Sequence, residues 1–321
     1  MMTFCRWSTS MRALQINPPE SSRSLNLMQS VRRPIVKALT MLQTRRFFLF
    51  LVSVFAVASL AHGADEPFSG QKSEWNGYAR YDFEISGKPV LVVVPQEAAA
   101  GQPWVWHGEF FGHKPAPDIA LLAKGFHIVY TEIPNQFGSP TAVAHWNDVY
   151  QFLTEHHHLA KKVALVGVSR GGLYCYNWAS QNPEKVACIY GDAPVCDVKS
   201  WPMGQGHGVG SAAEVQNLLH AYGVTSTDEL FPKLLNPVDT LEPLAAAHVP
   251  LLHVFGDADE VVPWDENTKV ISDRYKALGG EIILINKPGV GHVHGLEDST
   301  PIIEFIEHHC LAAIHAGTTA K

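Results

Sequence analysis

The spacing of apolar and polar residues changes period several times along the chain, and each change marks an element. Tyr78 to Ile85 alternates with period two, and Val90 to Val94 is a short apolar run. Ser86-Gly87 between them is a turn pair, so the spacing predicts a hairpin. Pro103 to His107 predicts a third strand and His127 to Ile133 a fourth. Between them, Asp118 to Ala123 has helical spacing and stops before Gly125, a residue suited to the left-handed position just past a helix end. Pro140 to His157 places Val143, Trp146, Val149, Tyr150 and Leu153 on one helical face. Val163 to Val168 is apolar throughout, as in a strand buried on both sides. Gly171 to Ser180 then reads as a helix and Val186 to Tyr190 as another buried strand. Leu251 to Phe255 and Ile282 to Ile285 are two more strands, with helices at Lys269 to Leu278 and Pro301 to Ile314.

A β start followed by β-α repeats predicts an α/β fold, with a mostly parallel sheet and helices on both faces. The repeat is interrupted over 193–249. That stretch holds helical pieces at Ala212 to Tyr222, Asp228 to Leu235 and Leu241 to Ala247, a Gly-rich loop from Gly204 to Gly210, and no strand. It predicts a helical cap inserted over the sheet edge. The glycine loop follows no strand and precedes no Lys-Ser or Lys-Thr pair, so it is not expected to cradle phosphate.

Residues 1–63 follow a different pattern. Phe47 to Leu60 is an apolar run of 14 residues behind Arg45-Arg46, too short to span a bilayer comfortably and of the length of a signal-peptide core. Small residues follow, and cleavage is expected after Ala61 or Gly63. Thr44 to Leu49 resembles a twin-arginine signal, an ordinary secretory signal being the other reading. Residues 1–40 are basic and aperiodic. Met41 as the true start accounts for them, as would a long basic leader. The expectation is a removed export leader at 1–63, a single domain at 64–321, a periplasmic or extracellular location, and no membrane anchor after cleavage.

Composition narrows the function. Hydrophobic residues make up 46% and charged residues 17%, enough to build a core. Residues 1–63 take eight of the 24 Lys and Arg and one of the 31 Asp and Glu, leaving 16 bases and 30 acids, a net of −14, for 64–321. A body so acidic, without a basic stripe, is not expected to bind nucleic acid. Cys175, Cys188, Cys196 and Cys310 of the body show no Cys-x-x-Cys spacing, so no zinc site is expected. Cys175 and Cys188 fall in apolar runs and read as buried thiols, while Cys196 or Cys310 could enter a disulfide in an oxidising compartment.

The strongest chemical motif is Gly167-Val168-Ser169-Arg170-Gly171-Gly172, set between a buried strand and a helix. A serine on so sharp a turn takes a strained backbone and lifts its hydroxyl above the sheet. A lone hydroxyl is a weak nucleophile and needs a base and an orienting acid. Downstream, Gly256-Asp257-Ala258-Asp259-Glu260 follows a strand, and Asp259 is the expected acid; Asp257, Glu260 and Asp192 also follow strands. Gly289-Val290-Gly291-His292-Val293-His294-Gly295 follows the next strand. His292 is the expected base, with His294 as the alternative or as a pocket residue. His-x-His lacks a third ligand nearby, so no metal is expected. Phe110, Phe111, Phe137, Trp146 and Trp201 are candidate substrate-contacting aromatics, each with core packing as its other reading, and His113 and His207 are weaker candidates. His156, His157 and His158 read as a solvated helix end.

The order Ser, Asp, His at the ends of three different strands resembles the α/β-hydrolase superfamily, in particular its secreted bacterial members akin to the prolyl-oligopeptidase and dienelactone-hydrolase branch. The resemblance runs over about residues 74–315 and implies a Ser169–His292–Asp259 triad. It also implies an oxyanion hole built from the backbone N–H of Arg170 and that of Glu109 or Phe110, because His107-Gly108 matches the family's His-Gly pair. Ser169-Arg170 further resembles the elbow of glucuronoyl esterases, which implies an arginine near the oxyanion and an acidic sugar; an arginine ion-paired beside the elbow is the other reading. The resemblance implies hydrolysis of a carboxylic ester through an acyl-enzyme, with a small-molecule or carbohydrate ester as substrate and no cofactor. A serine peptidase of the prolyl-oligopeptidase type, or a non-catalytic ligand-binding protein of the same fold, are the alternatives.

Overall fold

The computed structural model describes residues 67–319; the leader expected at 1–63 lies outside them. Among the described residues nine strands form one sheet: β1 (Gln71–Trp75), β2 (Tyr78–Ile85), β3 (Lys88–Val94), β4 (Trp104–His107), β5 (His127–Thr131), β6 (Val163–Val168), β7 (Val186–Asp192), β8 (Leu251–Gly256) and β9 (Ile282–Lys287). Their spatial order is β1-β2-β3-β5-β4-β6-β7-β8-β9. β1, β2, β3 and β5 pair antiparallel in that order. The six strands from β5 to β9 are parallel, as the β-α repeats predict.

The helices are α1 (Ala116–Ala123), α2 (Pro140–His156), α3 (Gly171–Gln181), α4 (Ala212–Ala221), α5 (Thr227–Leu230), α6 (Glu242–Ala246), α7 (Thr268–Ala277) and α8 (Thr300–Thr319). Strand periodicity divides the interior in two. Trp104, Trp106, Val163, Leu165 and Leu251 point to one face, under α2, α3 and α7. Val105, Ala164, Val166, Leu252 and Val254 point to the other, under α1 and α8. Alternate residues of a strand face opposite sides, so strands apolar at every position are what two covered faces require. Trp146 of α2 stacks on Trp106 with ring centroids 4.0 Å apart.

Helix ends obey local chemistry. Ser139 caps α2, its hydroxyl accepting from Ala142 N–H, with Pro140 in the first turn. Gly125 past α1 has φ +87°, and Phe126 N–H bonds back to Leu121 O, the expected left-handed stop. The helix expected over Asp228 to Leu235 ends early: α5 stops at Leu230, and Pro232, which has no N–H to donate, sits in a short 3-10 turn. β1 was not expected, because Gln-Lys-Ser-Glu-Trp offers no apolar alternation. It pairs with β2 through Asn76-Gly77, both in the left-handed region. That dipeptide was the signal available in the sequence.

Segment 193–249 carries α4, α5 and α6 between β7 and β8 without a strand. Leu218, Leu219, Tyr222 and Leu230 from it form a third apolar cluster with Phe137, Leu173 of α3 and Val262. The cluster fixes the segment against the turn that carries Ser169. Cys175, Cys188, Cys196 and Cys310 are all buried free thiols.

Two buried histidines give the fold a pH dependence. Burial lowers His127 to about 4 and His253 to about 3 from an ordinary value of 6.5. His253 sits between the Tyr176 hydroxyl at 2.7 Å and the Thr268 hydroxyl at 3.1 Å. The unfolded chain takes up these protons as pH falls through 6.5, whereas the native chain resists until about 3 to 4. Their contribution to stability is present above pH 6.5 and is lost on acidification, at about 1.4 kcal/mol per pH unit per histidine. Urea midpoints measured from about pH 7 to 5 are expected to fall, and His253→Gln to flatten that fall. A slope unchanged by the substitution would contradict the assignment.

Candidate active site

The turn after β6 is built around one residue in an unusual conformation. Ser169 has φ +48°, a left-handed backbone in a residue with a Cβ. Such a conformation costs about 1–3 kcal/mol and persists only when the surroundings fix it. Here Ser169 N–H donates to Asp192 O at 2.9 Å, and Ser169 O accepts from Gly172 N–H at 3.0 Å and Val195 N–H at 2.8 Å. The flanking glycines leave the necessary space. A Cβ on Gly167 would lie 2.9 Å from Gly172 Cα, and one on Gly172 would lie 2.7 Å from Val195 O.

β8 and β9 deliver the other two groups. Asp259 follows β8 and is buried, while Asp257 and Glu260 beside it are exposed. Its Oδ1 accepts from Val261 and Val262 N–H, both at 2.9 Å. Its Oδ2 lies 2.6 Å from His292 Nδ1, and His292 Nε2 lies 2.9 Å from Ser169 Oγ. A carboxylate accepts, so His292 donates from Nδ1 and turns its Nε2 lone pair to the serine hydroxyl. Asp257 faces away: its carboxylate takes Gly289 N–H at 2.6 Å and Asn286 Nδ2 at 2.9 Å, which bind the loop after β9. Asp192 lies at the end of β7 and makes no bond to the His292 ring. The loop that carries His292 crosses close over the end of β8, since a Cβ on Gly256 would lie 2.1 Å from Val290 O.

Glu109 and Phe110 follow β4, across the turn from Ser169. A Cβ on Gly171 would lie 3.0 Å from Glu109 N, so that N–H sits against the first turn of α3. Among the described residues neither Glu109 N–H nor Arg170 N–H donates to a backbone carbonyl. Phe110 has φ +56° and is exposed. The Arg170 side chain is ion-paired: Nε and Nη2 bind Glu109 at 2.5 and 2.9 Å, and Nη1 binds Glu214 of α4 at 2.9 Å. Its guanidinium also lies 5.1 Å from the Phe137 ring centroid. Burial raises the Glu109 carboxyl, against the pull of the Arg170 hydrogen bonds.

The remaining aromatic candidates separate by position. Trp146 is a core residue of α2, stacked on Trp106 away from the serine. Phe137 is fully buried between Trp201 and Arg170, and Trp201 is half-buried. Phe111 packs on Trp75 and Tyr130. His294 lies edge-on to His292 at 4.7 Å, its Nδ1 3.2 Å from His113 Nε2. Burial lowers it to about 4, so it stays neutral. His207 contacts Glu266 at 2.8 Å on the loop of 193–249. His157, expected in solvent, stacks on Phe68 at 4.1 Å. The ion-paired reading of Arg170 holds; its partners Glu109 and Glu214, 61 and 44 residues away, left no signal in the sequence. Among the described residues no three His, Cys, Asp or Glu side chains could hold a metal ion, and no helix is long and apolar enough to cross a membrane.

A family model described as alpha/beta hydrolase fold matches residues 89–231. No curated protein matches the chain. Solved structures share the architecture at low identity. A puromycin-hydrolysing peptidase of Mycobacterium tuberculosis has 16% identity and a TM-score of 0.54 over 73% of this chain and 39% of its own. An acylaminoacyl peptidase of Pyrococcus horikoshii has 14% identity and 0.55 over 75% and 44%. TT1662 of Thermus thermophilus has 15% identity and 0.51 over 76% and 99%. The chain thus spans less than half the length of the two peptidases.

The Arg170 cluster makes a stability prediction. Breaking a buried pair costs up to about 3–5 kcal/mol when the remaining charge is uncompensated, and less here because Glu214 still meets Arg170 when Glu109 is gone. Glu109→Ala is expected to lower unfolding free energy within that bound in denaturant titrations, and Glu214→Ala by much less because that carboxylate is more exposed. Equal effects would contradict the assignment of Glu109 as the principal partner.

Proposed function

We propose that this chain, a member of the α/β-hydrolase superfamily by its sheet, its elbow and its family match, is a serine hydrolase that works through an acyl-enzyme on Ser169. The observation that carries the reading is the unbroken chain Ser169 Oγ, His292 Nε2, His292 Nδ1, Asp259 Oδ2, at 2.9 and 2.6 Å. Ser169 Oγ attacks the acyl carbon as His292 Nε2 takes its proton, and Asp259 stabilises the imidazolium. The tetrahedral oxyanion is received by the N–H groups of Arg170 and Glu109; each such donor lowers the barrier by about 3–4 kcal/mol. His292 returns the proton to the leaving group, and a water deprotonated by the same ring then releases the acyl group.

For the substrate, the peptidase reading takes precedence over the ester reading of the sequence. Of the three similar structures described above, the two whose names state an activity are both peptidases. We infer cleavage of an acyl group from an amine, with esters also cleaved because an ester carbonyl lacks most of the resonance stabilisation of an amide and is attacked more readily. Puromycin-like amides and acylaminoacyl anilides are the substrates to test. The leader at 1–63 supports a further proposal, that the protein is exported. N-terminal sequencing of the mature protein is expected to begin after Ala61 or Gly63, and a mature chain retaining Arg45-Arg46 would overturn it.

Turnover of aminoacyl and acylaminoacyl p-nitroanilides is expected in the wild type, with p-nitrophenyl acetate also cleaved. Ser169→Ala and His292→Ala should lower kcat by about a million-fold and Asp259→Asn by about ten-thousand-fold, with little change in KM. Cleavage of esters alone would return the substrate to the ester class. Activity surviving Ser169→Ala would remove the mechanism.

A further inference from the structure

Asp192 ends β7, the strand between those that lead to the nucleophile and the acid, and it is only 2% exposed. It bonds to both working loops. Its backbone carbonyl takes Ser169 N–H at 2.9 Å. Its Oδ2 takes Gly295 N–H at 2.6 Å and the Tyr190 hydroxyl at 2.9 Å. Lys287 Nζ stands 3.9 Å from its Oδ1. The same ammonium donates to Gly295 O at 3.2 Å and to Val293 O. The segment 287–295, which carries His292, is thereby held just past His292, at Val293 and Gly295, by one buried carboxylate and one ammonium.

We propose that Asp192 and Lys287 are positioning residues for His292, fixing the base loop to the strand that also holds the Ser169 backbone. The inference rests on the reading of Ser169 and His292 as nucleophile and base.

Asp259 grips the imidazole at Nδ1 only, which sets the ring's tautomer and one of its edges. The distance from Nε2 to Ser169 Oγ also depends on where the loop backbone lies. At its start that loop is held by Asp257 on Gly289 N–H and by Ala258 N–H on Val290 O, but past His292 it reaches solvent, with Val293 52% exposed. A buried carboxylate accepting a backbone N–H makes a charge-assisted bond, stronger than a neutral one. The shared residue matters as much as the bond. A shift of Asp192 carries the serine N–H and the Gly295 N–H together, so the spacing between nucleophile and base is preserved when the sheet edge moves. Burial raises the Asp192 carboxyl above the usual carboxylate range, while Gly295 N–H, Lys287 and the Tyr190 hydroxyl pull the other way. Its position does not make it a second acid, since His292 Nδ1 is already committed to Asp259.

The test uses the full chain, a fluorophosphonate probe and proton NMR of the His292 Nδ1–H, whose hydrogen bond to Asp259 gives a downfield signal. Labelling of the wild type at Ser169 establishes the reading on which the inference rests. Asp192→Ala, folded by circular dichroism, is expected to label about 10- to 100-fold more slowly, the loss that a misplacement near 1 Å produces. Its downfield signal should broaden or disappear although Asp259 and His292 are intact. Asp192→Asn, whose amide oxygen can still accept Gly295 N–H, should recover most of the rate. A purely structural role would lower the melting temperature and leave the labelling rate and the signal of the folded protein unchanged, and that result overturns the proposal while the hydrolase reading stands. Should the alanine variant not fold, Lys287→Met carries the same expectation, and an unchanged rate and signal there overturn it equally. A wild type that fails to label removes the hydrolase reading, and the positioning role falls with it.

Discussion

Everything at this site depends on holding Ser169 in a backbone conformation that it would not adopt alone. At φ +48° the residue needs external support, and it receives it from three directions. Asp192 takes its N–H, Gly172 and Val195 donate to its carbonyl, and two glycines leave room for the crossing. The support comes from the parallel sheet. β6, β7, β8 and β9 lie side by side, and their C-terminal ends open onto the same edge. Side chains 123 residues apart in sequence can therefore meet at 2.9 Å. Open α/β sheets concentrate chemistry at that edge for this reason.

Electrostatic pairing divides the charged residues into separate jobs. Asp259 spends one oxygen on two backbone N–H groups and the other on the histidine, so the acid is fixed before the ring is. Asp257, two residues away, binds the base loop from outside. Arg170 is neutralised by Glu109 and tied by Glu214 to α4, which links the 193–249 segment to the elbow through a charge pair as well as through the apolar cluster around Leu218. Four carboxylates around this site thus do different work, and burial and partners decide which does what.

Much of this was legible in the sequence because it depends on local rules. The run Val163 to Val168 followed by Gly-Val-Ser-Arg-Gly-Gly needs a buried strand and a sharp turn, and it has both. The central parallel strands announced themselves by near-continuous apolar runs, complete in β6 and broken only by His253 in β8 and Asp192 at the end of β7. β1 did not, since an edge strand exposed on both sides has no apolar face to show; only Asn76-Gly77 marked it. Trp146 looked like a pocket residue and is core, because a helical stripe does not say which layer it faces until the strand order is known. The grip of Asp192 on Gly295 was invisible for a deeper reason. Its partner is a backbone N–H 103 residues away, and backbone groups leave no trace in residue identity.

The central claim is that Ser169 becomes covalently acylated. The most direct measurement is acid-quenching of the protein during turnover of an acylaminoacyl p-nitroanilide, followed by peptide mass mapping. The account predicts an acyl adduct on the peptide containing Ser169 in the wild type, absent from Ser169→Ala. Product formation with Ser169 unmodified throughout, or an adduct on another residue, would contradict it.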